Sequence, residues 1–340
     1  FNNNFKAIEK SDFCLLIGVN PRYEGSLLNV KLRKRFFEGG FKIVSVGAPV
    51  NLTYPVTHIG LGVKQLYNTF FNGEINSVSK AFFEAKNPIV IFGSGILERD
   101  DSLELQKLFS CLNYNVQYQT SSSVNILQTE SNQTGAFELG LNKLNASVFK
   151  TAQIVYLVGI DNYTAKEWLR FCNKNCFVVY QGSNGTPSAN LADVVLPSST
   201  FTEKRGTFIN TEGRVQQTSR VLVAPGLAKD DWKIFKALSK IIGVTLQFNK
   251  FKELHNMLNT LIPATNTINQ VVSTNALFLK ASEKNYTAES FNYFNKINKT
   301  RFQSVIEDFY LTSSITRASH TLVQCSASLK KETNNFISIN

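Results

Sequence analysis

Long apolar runs are missing from this sequence. The longest, such as Phe13 to Val19 and Ile154 to Gly159, fall far short of the roughly 20 residues a membrane-spanning helix needs. Membrane association therefore has to come through partners. The N-terminus lacks the succession of basic residues, apolar run and small-residue cleavage site that marks a signal peptide. Cysteine is sparse: Cys14, Cys111, Cys172, Cys176 and Cys325 are odd in number and scattered, which excludes a disulfide-stapled scaffold and favours a reducing compartment. Cys172 and Cys176 lie four apart, but Asn173, Lys174 and Asn175 between them read as a turn before a strand. With no second cysteine pair and no nearby histidine, a zinc or iron–sulfur site is not expected there. Histidine is scarcer still. His58, His255 and His320 lie beside Thr57, Asn256 and Thr321, with no carboxylate or Ser at a supporting position, so none is assigned a catalytic role. Met257 is the one methionine and the sequence opens at Phe1. Asn, Phe, Lys and Ile are abundant, as an AT-rich coding sequence would produce, which points to an organelle genome and a piece of a split or processed polypeptide.

What is present describes a folded α/β chain. Of the 340 residues 43% are hydrophobic and 18% charged, enough apolar surface for a core and too little charge for disorder. The net charge of +11 would attract nucleic acid, acidic lipid or acidic protein alike. Its densest cluster, Lys31, Arg33, Lys34 and Arg35, spreads around a predicted helix instead of forming a stripe, which reads as a solvated or subunit-facing helix and not as a nucleic-acid site.

Short β-branched runs alternate with helical-period segments, the pattern of a parallel sheet covered on both faces. Strands are expected at Phe13 to Val19, Lys42 to Val46, Pro88 to Phe92, Gln153 to Val158, Phe177 to Gln181 and Asp193 to Leu196. Crossover helices are expected at Leu27 to Phe37, Lys64 to Phe71, Ser77 to Ala85, Ser102 to Leu112 and Ala165 to Phe171. Residues 1–150 make a first α/β lobe and 151–245 a second, with a helix at Leu227 to Ile242. Residues 246–340 make a helical and irregular C-terminal region, with a helix at Phe251 to Leu261. Gly18, Gly47, Gly93, Gly159 and Gly182 end strands, as tight strand-to-helix turns require; in an open sheet they would also border a ligand crevice. Gly93-Ser94-Gly95 is two-thirds of a dinucleotide fingerprint, but Glu98 stands at the third glycine position. The first strand lies so near the start that the sheet is expected to begin mid-domain, leaving Phe13 to Val19 as an apolar edge that another polypeptide must cover.

The strongest motif is Pro197 to Gln217, PSSTFTEKRGTFINTEGRVQQ. It resembles the signature of molybdopterin-type oxidoreductases, as do Asp193-Val-Val-Leu-Pro197 before it and Cys14-Leu-Leu-Ile-Gly-Val-Asn-Pro-Arg22 near the start. Several blocks are similar to the complex I branch of that superfamily, the large iron–sulfur subunits of respiratory NADH:ubiquinone oxidoreductase. They are Arg22 with Leu27, Asn29, Arg33 and Lys34; Tyr180-Gln-Gly182; Pro225 to Ala228 with Asp231-Trp-Lys233; and Asp308 to Ser319. The resemblance runs from about Ser11 to Ser328.

It implies a doubly wound, mostly parallel α/β fold of the molybdopterin-oxidoreductase-like type, incomplete on its N-terminal side, in a peripheral-arm subunit on the matrix side of the mitochondrial inner membrane. It also implies that no catalytic, cofactor-binding or metal residue is carried here, the iron–sulfur clusters and FMN being held by partner chains. The partners implied are the chain with the ferredoxin-like iron–sulfur module and other peripheral-arm subunits, with no nucleic acid. In the signature, Glu203, Lys204, Arg205, Glu212 and Arg214 alternate in sign, suited to pairing with one another or across a lobe interface, while Gly206 and Gly213 allow sharp reversals. In a cofactor enzyme Arg205, Asn210 or Arg214 would instead meet phosphates. The rival readings are an active molybdenum or tungsten oxidoreductase such as formate dehydrogenase, a free-standing nucleotide-binding module, and a basic nucleic-acid binder.

Overall fold

The structure, a computed structural model, describes residues 5–72, 75–114, 124–141, 146–160, 169–173, 175–271, 286–306 and 308–339. It divides into two compact units. The first comprises residues 1–140, 208–215 and 267–307; the second comprises 141–207, 216–266 and 308–340. Of residues 246–340, 267–307 group with the first unit and the remainder with the second.

In the first unit five described strands pair in parallel: β1 (Phe13–Ile17), β2 (Lys42–Val46), β3 (Thr57–Gly60), β4 (Pro88–Gly93) and β5 (Val124–Leu127), in the order β3-β2-β1-β4-β5. The expected edge is therefore corrected. Every residue of β1 from Phe13 to Ile17 is flanked by β2 on one side and β4 on the other, so this strand is the centre of the sheet and needs no outside cover. Its residues alternate between two cores. Phe13, Leu15 and Ile17 face one with Val90, Phe92, Leu105 and Phe109, and Cys14 and Leu16 face the other with Leu28, Leu32 and Ile89. Burial on both faces is why the strand reads as a continuous apolar run.

Helices α1 (Pro21–Glu24) and α2 (Ser26–Phe37) follow β1, α3 (Val63–Phe70) follows β3, α4 (Ser77–Phe83) precedes β4 and α5 (Ser102–Tyr114) precedes β5. Asn76 starts α4 by accepting from the N–H groups of Val78 and Ser79 at 2.9 and 2.8 Å, satisfying donors that a helix end leaves open. Asp12, just before β1, accepts from the N–H groups of Lys86 and Asn87 at 2.7 and 2.9 Å, which sets β4 beside β1.

In the second unit β6 (Ile154–Val158), β7 (Phe177–Gly182) and β8 (Val194–Pro197) form a parallel sheet in sequence order. The expected helix at Ala165 to Phe171 falls mainly outside the described residues. Over the Pro197 to Gln217 stretch, β9 (Gly206–Ile209) and β10 (Val215–Thr218) pair as a hairpin, a pair of strands absent from the expected elements. The helix expected from Leu227 starts at Asp231, because Pro225-Gly226 closes a turn first. The helix Phe251–Leu261 falls where expected, and those at Tyr286–Lys296 and His320–Ile339 have no counterpart among the expected elements. Among the described residues no helix is long and apolar enough to cross a membrane.

Candidate functional site

From β1 the chain winds outward through β2 and β3, then returns to the other side of β1 with β4 and β5. The carboxyl ends of β1 and β4 therefore form a topological switch point, the place where an open α/β sheet offers a crevice to a ligand. Gly18, Gly47 and Gly93 stand at that rim. A Cβ on Gly18, whose φ is +54°, would come within 3.0 Å of the Phe302 Cβ, and one on Gly93 within 2.5 Å of the Gly18 carbonyl oxygen. The strand ends are glycine because backbone and side chain crowd them. Gly93-Ser94-Gly95 runs into a single 3-10 turn, Ser94–Ile96, with α5 beginning only at Ser102; the dinucleotide fingerprint lacks the helix that its phosphate geometry needs.

Part of the crevice is taken by the chain itself, and beside the inserted segment a cavity of about 750 Å³ remains, lined by Gly95, Glu98, Arg99, Lys299, Arg301 and Phe302. Phe302 is buried in the core with Ile17, Phe92, Ile96 and Phe109, and its N–H donates to Leu61 O at 3.0 Å, beside an antiparallel bridge between Gly62 and Arg301. Arg99 clamps the incoming segment. Its Nε and Nη2 each donate to the Asp101 carboxylate at 2.7 Å, its Nη1 to Thr300 Oγ1 at 2.7 Å and its Nη2 to Asn298 O at 2.7 Å. Asp101 accepts from Asn298 N at 2.6 Å, and the guanidinium lies 5.7 Å from the Phe302 ring centre. On the far side Ser304 Oγ donates to Glu24 Oε1 at 2.6 Å, which also accepts from Asn20 N at 2.9 Å. Glu24 is buried and its Oε2 has no hydrogen-bond partner. Burial pushes its carboxyl above the usual carboxylate range, and the bonds from Ser304 and Asn20 pull back only in part. Sequence reasoning misses all of these plug contacts, because residues some 200 to 280 apart in sequence make them.

Several of the signature residues hold the fold. Asn210 Oδ1 accepts from Glu212 N at 3.0 Å and Arg214 N at 2.9 Å across the tight turn at Gly213, whose φ is +82°. Arg214 donates to Asn269 O at 2.7 Å and lies 3.8 Å from Glu212, which accepts from Phe5 N. Among the described residues, Glu212 and Arg214 are the alternating charges that pair with one another. Lys204 pairs with Asp231, Glu203 accepts from Thr200 N at 3.1 Å, and Arg205 is exposed.

The histidine reading needs one correction: Ser45 Oγ lies 3.3 Å from His58 Nδ1, a Ser that strand pairing supplies and sequence spacing hides. Ser45 is buried, so this pair presents no accessible nucleophile; burial lowers the His58 pKa. His255 stacks on Phe251. Burial in the β1 core also pushes the Cys14 thiol far up, and among the described residues no three His, Cys, Asp or Glu side chains gather to hold a metal. The basic cluster on α2 is engaged locally: Lys31 lies 3.8 Å from Glu9, Arg33 over the Phe37 ring, and Arg35 Nε donates to Ser11 O.

Comparison with known proteins fits this geometry. The profile of molybdopterin oxidoreductases matches residues 1–241. The chain belongs to the molybdopterin oxidoreductase family. A second profile, describing the C-terminal part of an NADH-ubiquinone oxidoreductase subunit, matches residues 271–325, the stretch that contains the Phe302 plug. The chain is 34% identical to the NADH-ubiquinone oxidoreductase 75 kDa subunit of Reclinomonas americana, over 97% of this chain and 48% of that one. It is 35% identical to the mitochondrial 78 kDa subunit of Candida albicans, over 96% and 44%. With the mitochondrial iron-sulfur protein 1 of Solanum tuberosum the figures are 32%, over 97% and 43%. The chain thus spans a little under half the length of these relatives. The family name implies a molybdenum-bearing pterin; directly over β1 and β4 the residues present leave no room for one, and the open cavity lies to the side, by Gly95, Arg99, Lys299 and Arg301. The space over β1 and β4 that a family ligand would enter is taken by Phe302, Ser304 and the buried Glu24.

Proposed function

We propose that this chain is a structural portion of the large iron–sulfur subunit of NADH:ubiquinone oxidoreductase. It supports NADH-to-quinone electron transfer in the peripheral arm without holding a redox centre itself. Flavin and iron–sulfur clusters belong to partner chains, including the one with the ferredoxin-like module, and the chain reaches the matrix side of the mitochondrial inner membrane only through those partners. The observation that carries this reading is at the switch point: Phe302, from the stretch matching the C-terminal NADH-ubiquinone oxidoreductase profile, is buried where an open α/β sheet offers a ligand its crevice. A molybdenum or tungsten oxidoreductase would have to expel a core phenylalanine to bind its pterin there.

The test is made on native mitochondrial membranes. The chain should comigrate with the NADH-oxidising complex on native gels, and the isolated chain should contain no stoichiometric iron, molybdenum or tungsten by elemental analysis. Migration away from that activity would refute membership. A stoichiometric metal would refute the scaffold role.

A further inference from the structure

Two blocks that carry family resemblance, Pro197 to Thr202 and Pro225 to Ala228, lie in the second unit. Backbone hydrogen bonds lay their segments side by side. Ser199 N donates to Lys229 O at 2.9 Å and Lys229 N to Pro197 O at 3.3 Å, while Val221 N and Leu222 N both reach Thr202 O, at 2.9 and 3.1 Å. A turn closed by Ala228 N on Pro225 O, with Gly226 at φ +53°, joins the strap to the helix Asp231–Ile241.

The apolar side chains of this ribbon lie in water. Phe201 is 65% exposed, Val221 77%, Leu222 55%, Val223 82% and Leu227 83%. Single exposed apolar residues are ordinary, but five on one hydrogen-bonded pair of segments form the kind of patch that marks an interaction surface. The exposed charge around it has one sign, Glu203, Asp230 and Asp231 being half-buried. Arg205, Arg220 and Lys229 are exposed and have no ion-pair partner among the described residues. The acids nearby are committed: Asp231 to Lys204, Asp230 to Lys233 at 2.9 Å, and Glu203 to the Thr200 backbone.

An apolar centre rimmed by unpaired cations complements an apolar segment flanked by carboxylates. We propose that this ribbon is a protein-docking surface, and that its partner is a polypeptide segment presenting aliphatic side chains between aspartate or glutamate residues. The proposal rests on the reading of the chain as a subunit of NADH:ubiquinone oxidoreductase, whose relatives here are about twice as long and so bring further polypeptide to be seated. An anionic membrane shares the required charge, but membrane-surface binding uses a continuous amphipathic helix, and this patch is extended strap and turn.

The test places cysteine at Val223 (Val223→Cys) in the chain within the native NADH-oxidising assembly. Maleimide labelling at that position is read by peptide mass spectrometry, natively and in denaturant. Carbodiimide coupling of Lys229 is read in parallel. Labelling should be at least tenfold slower natively, since the chain alone leaves this position open, and Lys229 should become amide-linked to an Asp or Glu of another polypeptide. Val223→Asp should lower incorporation into the assembly several-fold, and Val223→Leu should retain it. Native labelling as fast as denatured overturns the docking surface. So does Lys229 coupling only to a second copy of this chain, or binding to phosphatidylserine vesicles that Val223→Asp abolishes. Absence of the chain from the assembly sinks the subunit reading and this one with it, whereas presence with an open Val223 sinks this one alone.

Discussion

At Gly213 the hairpin tip takes φ +82°, a backbone conformation that a β-branched residue adopts only under strain. Gly213→Val should destabilise the fold by about 1–3 kcal/mol and lower the amount of chain incorporated into its complex; normal incorporation together with an unchanged melting temperature would show the turn to be unstrained. Glu24 makes a different prediction. Its folded pKa is raised by burial, so its contribution to stability is complete below the unfolded value and is lost as pH rises through the folded one. Glu24→Gln keeps an oxygen to accept from Ser304 and Asn20 and removes the titration. The variant should match the parent in acid and melt higher near neutrality, by roughly 2–4 °C for each kcal/mol in a domain this large. Parallel melting curves across that range would mean that Glu24 does not ionise at a cost to the fold there.

Among the elements, the segment around Phe302 separates two kinds of stabilisation. Phe302→Ala leaves a hole in the core and should cost about 3–5 kcal/mol, read from the urea midpoint. Arg99→Met removes the clamp and leaves Asp101 a buried, half-paired acid; amide exchange over residues 298–304 should quicken while β1 stays protected. If β1 exchanged equally fast, the clamp would be holding the whole sheet and not the plug. The strands legible in the sequence are those buried on both faces or rich in β-branched residues: β1, β2, β4, β6, β7 and β8. β3 and β5 escape because they are four-residue strands carrying His58 or Asn125, too short and too polar for a clear pattern. The hairpin β9–β10 escapes because its outer residues are Thr and Gln, whose pairing shows only when strands meet. Strand order is illegible for a deeper reason. Nothing local to Phe13–Ile17 records that β4 will return to its free side, so a strand placed early in the chain reads as an edge although it is the centre.

For the whole molecule, the central place of β1 removes one argument for an obligate partner. With β1 enclosed, the sheet edges of the first unit are the short β3 and β5, which offer little to aggregate upon. The plug carries a consequence of its own for biosynthesis. Its anchoring phenylalanine is made long after β5, and at roughly 5–20 residues per second a ribosome needs on the order of ten seconds or more to travel from Leu127 to Phe302. Through that interval the nascent sheet stands complete in its strands but open at its switch point, with the glycine rim wet. The protein would thus pass, once in each synthesis, through a form in which the crevice over β1 and β4 is accessible. A nucleotide-like ligand or a chaperone could meet that form only then, before the tail of the same molecule shuts it.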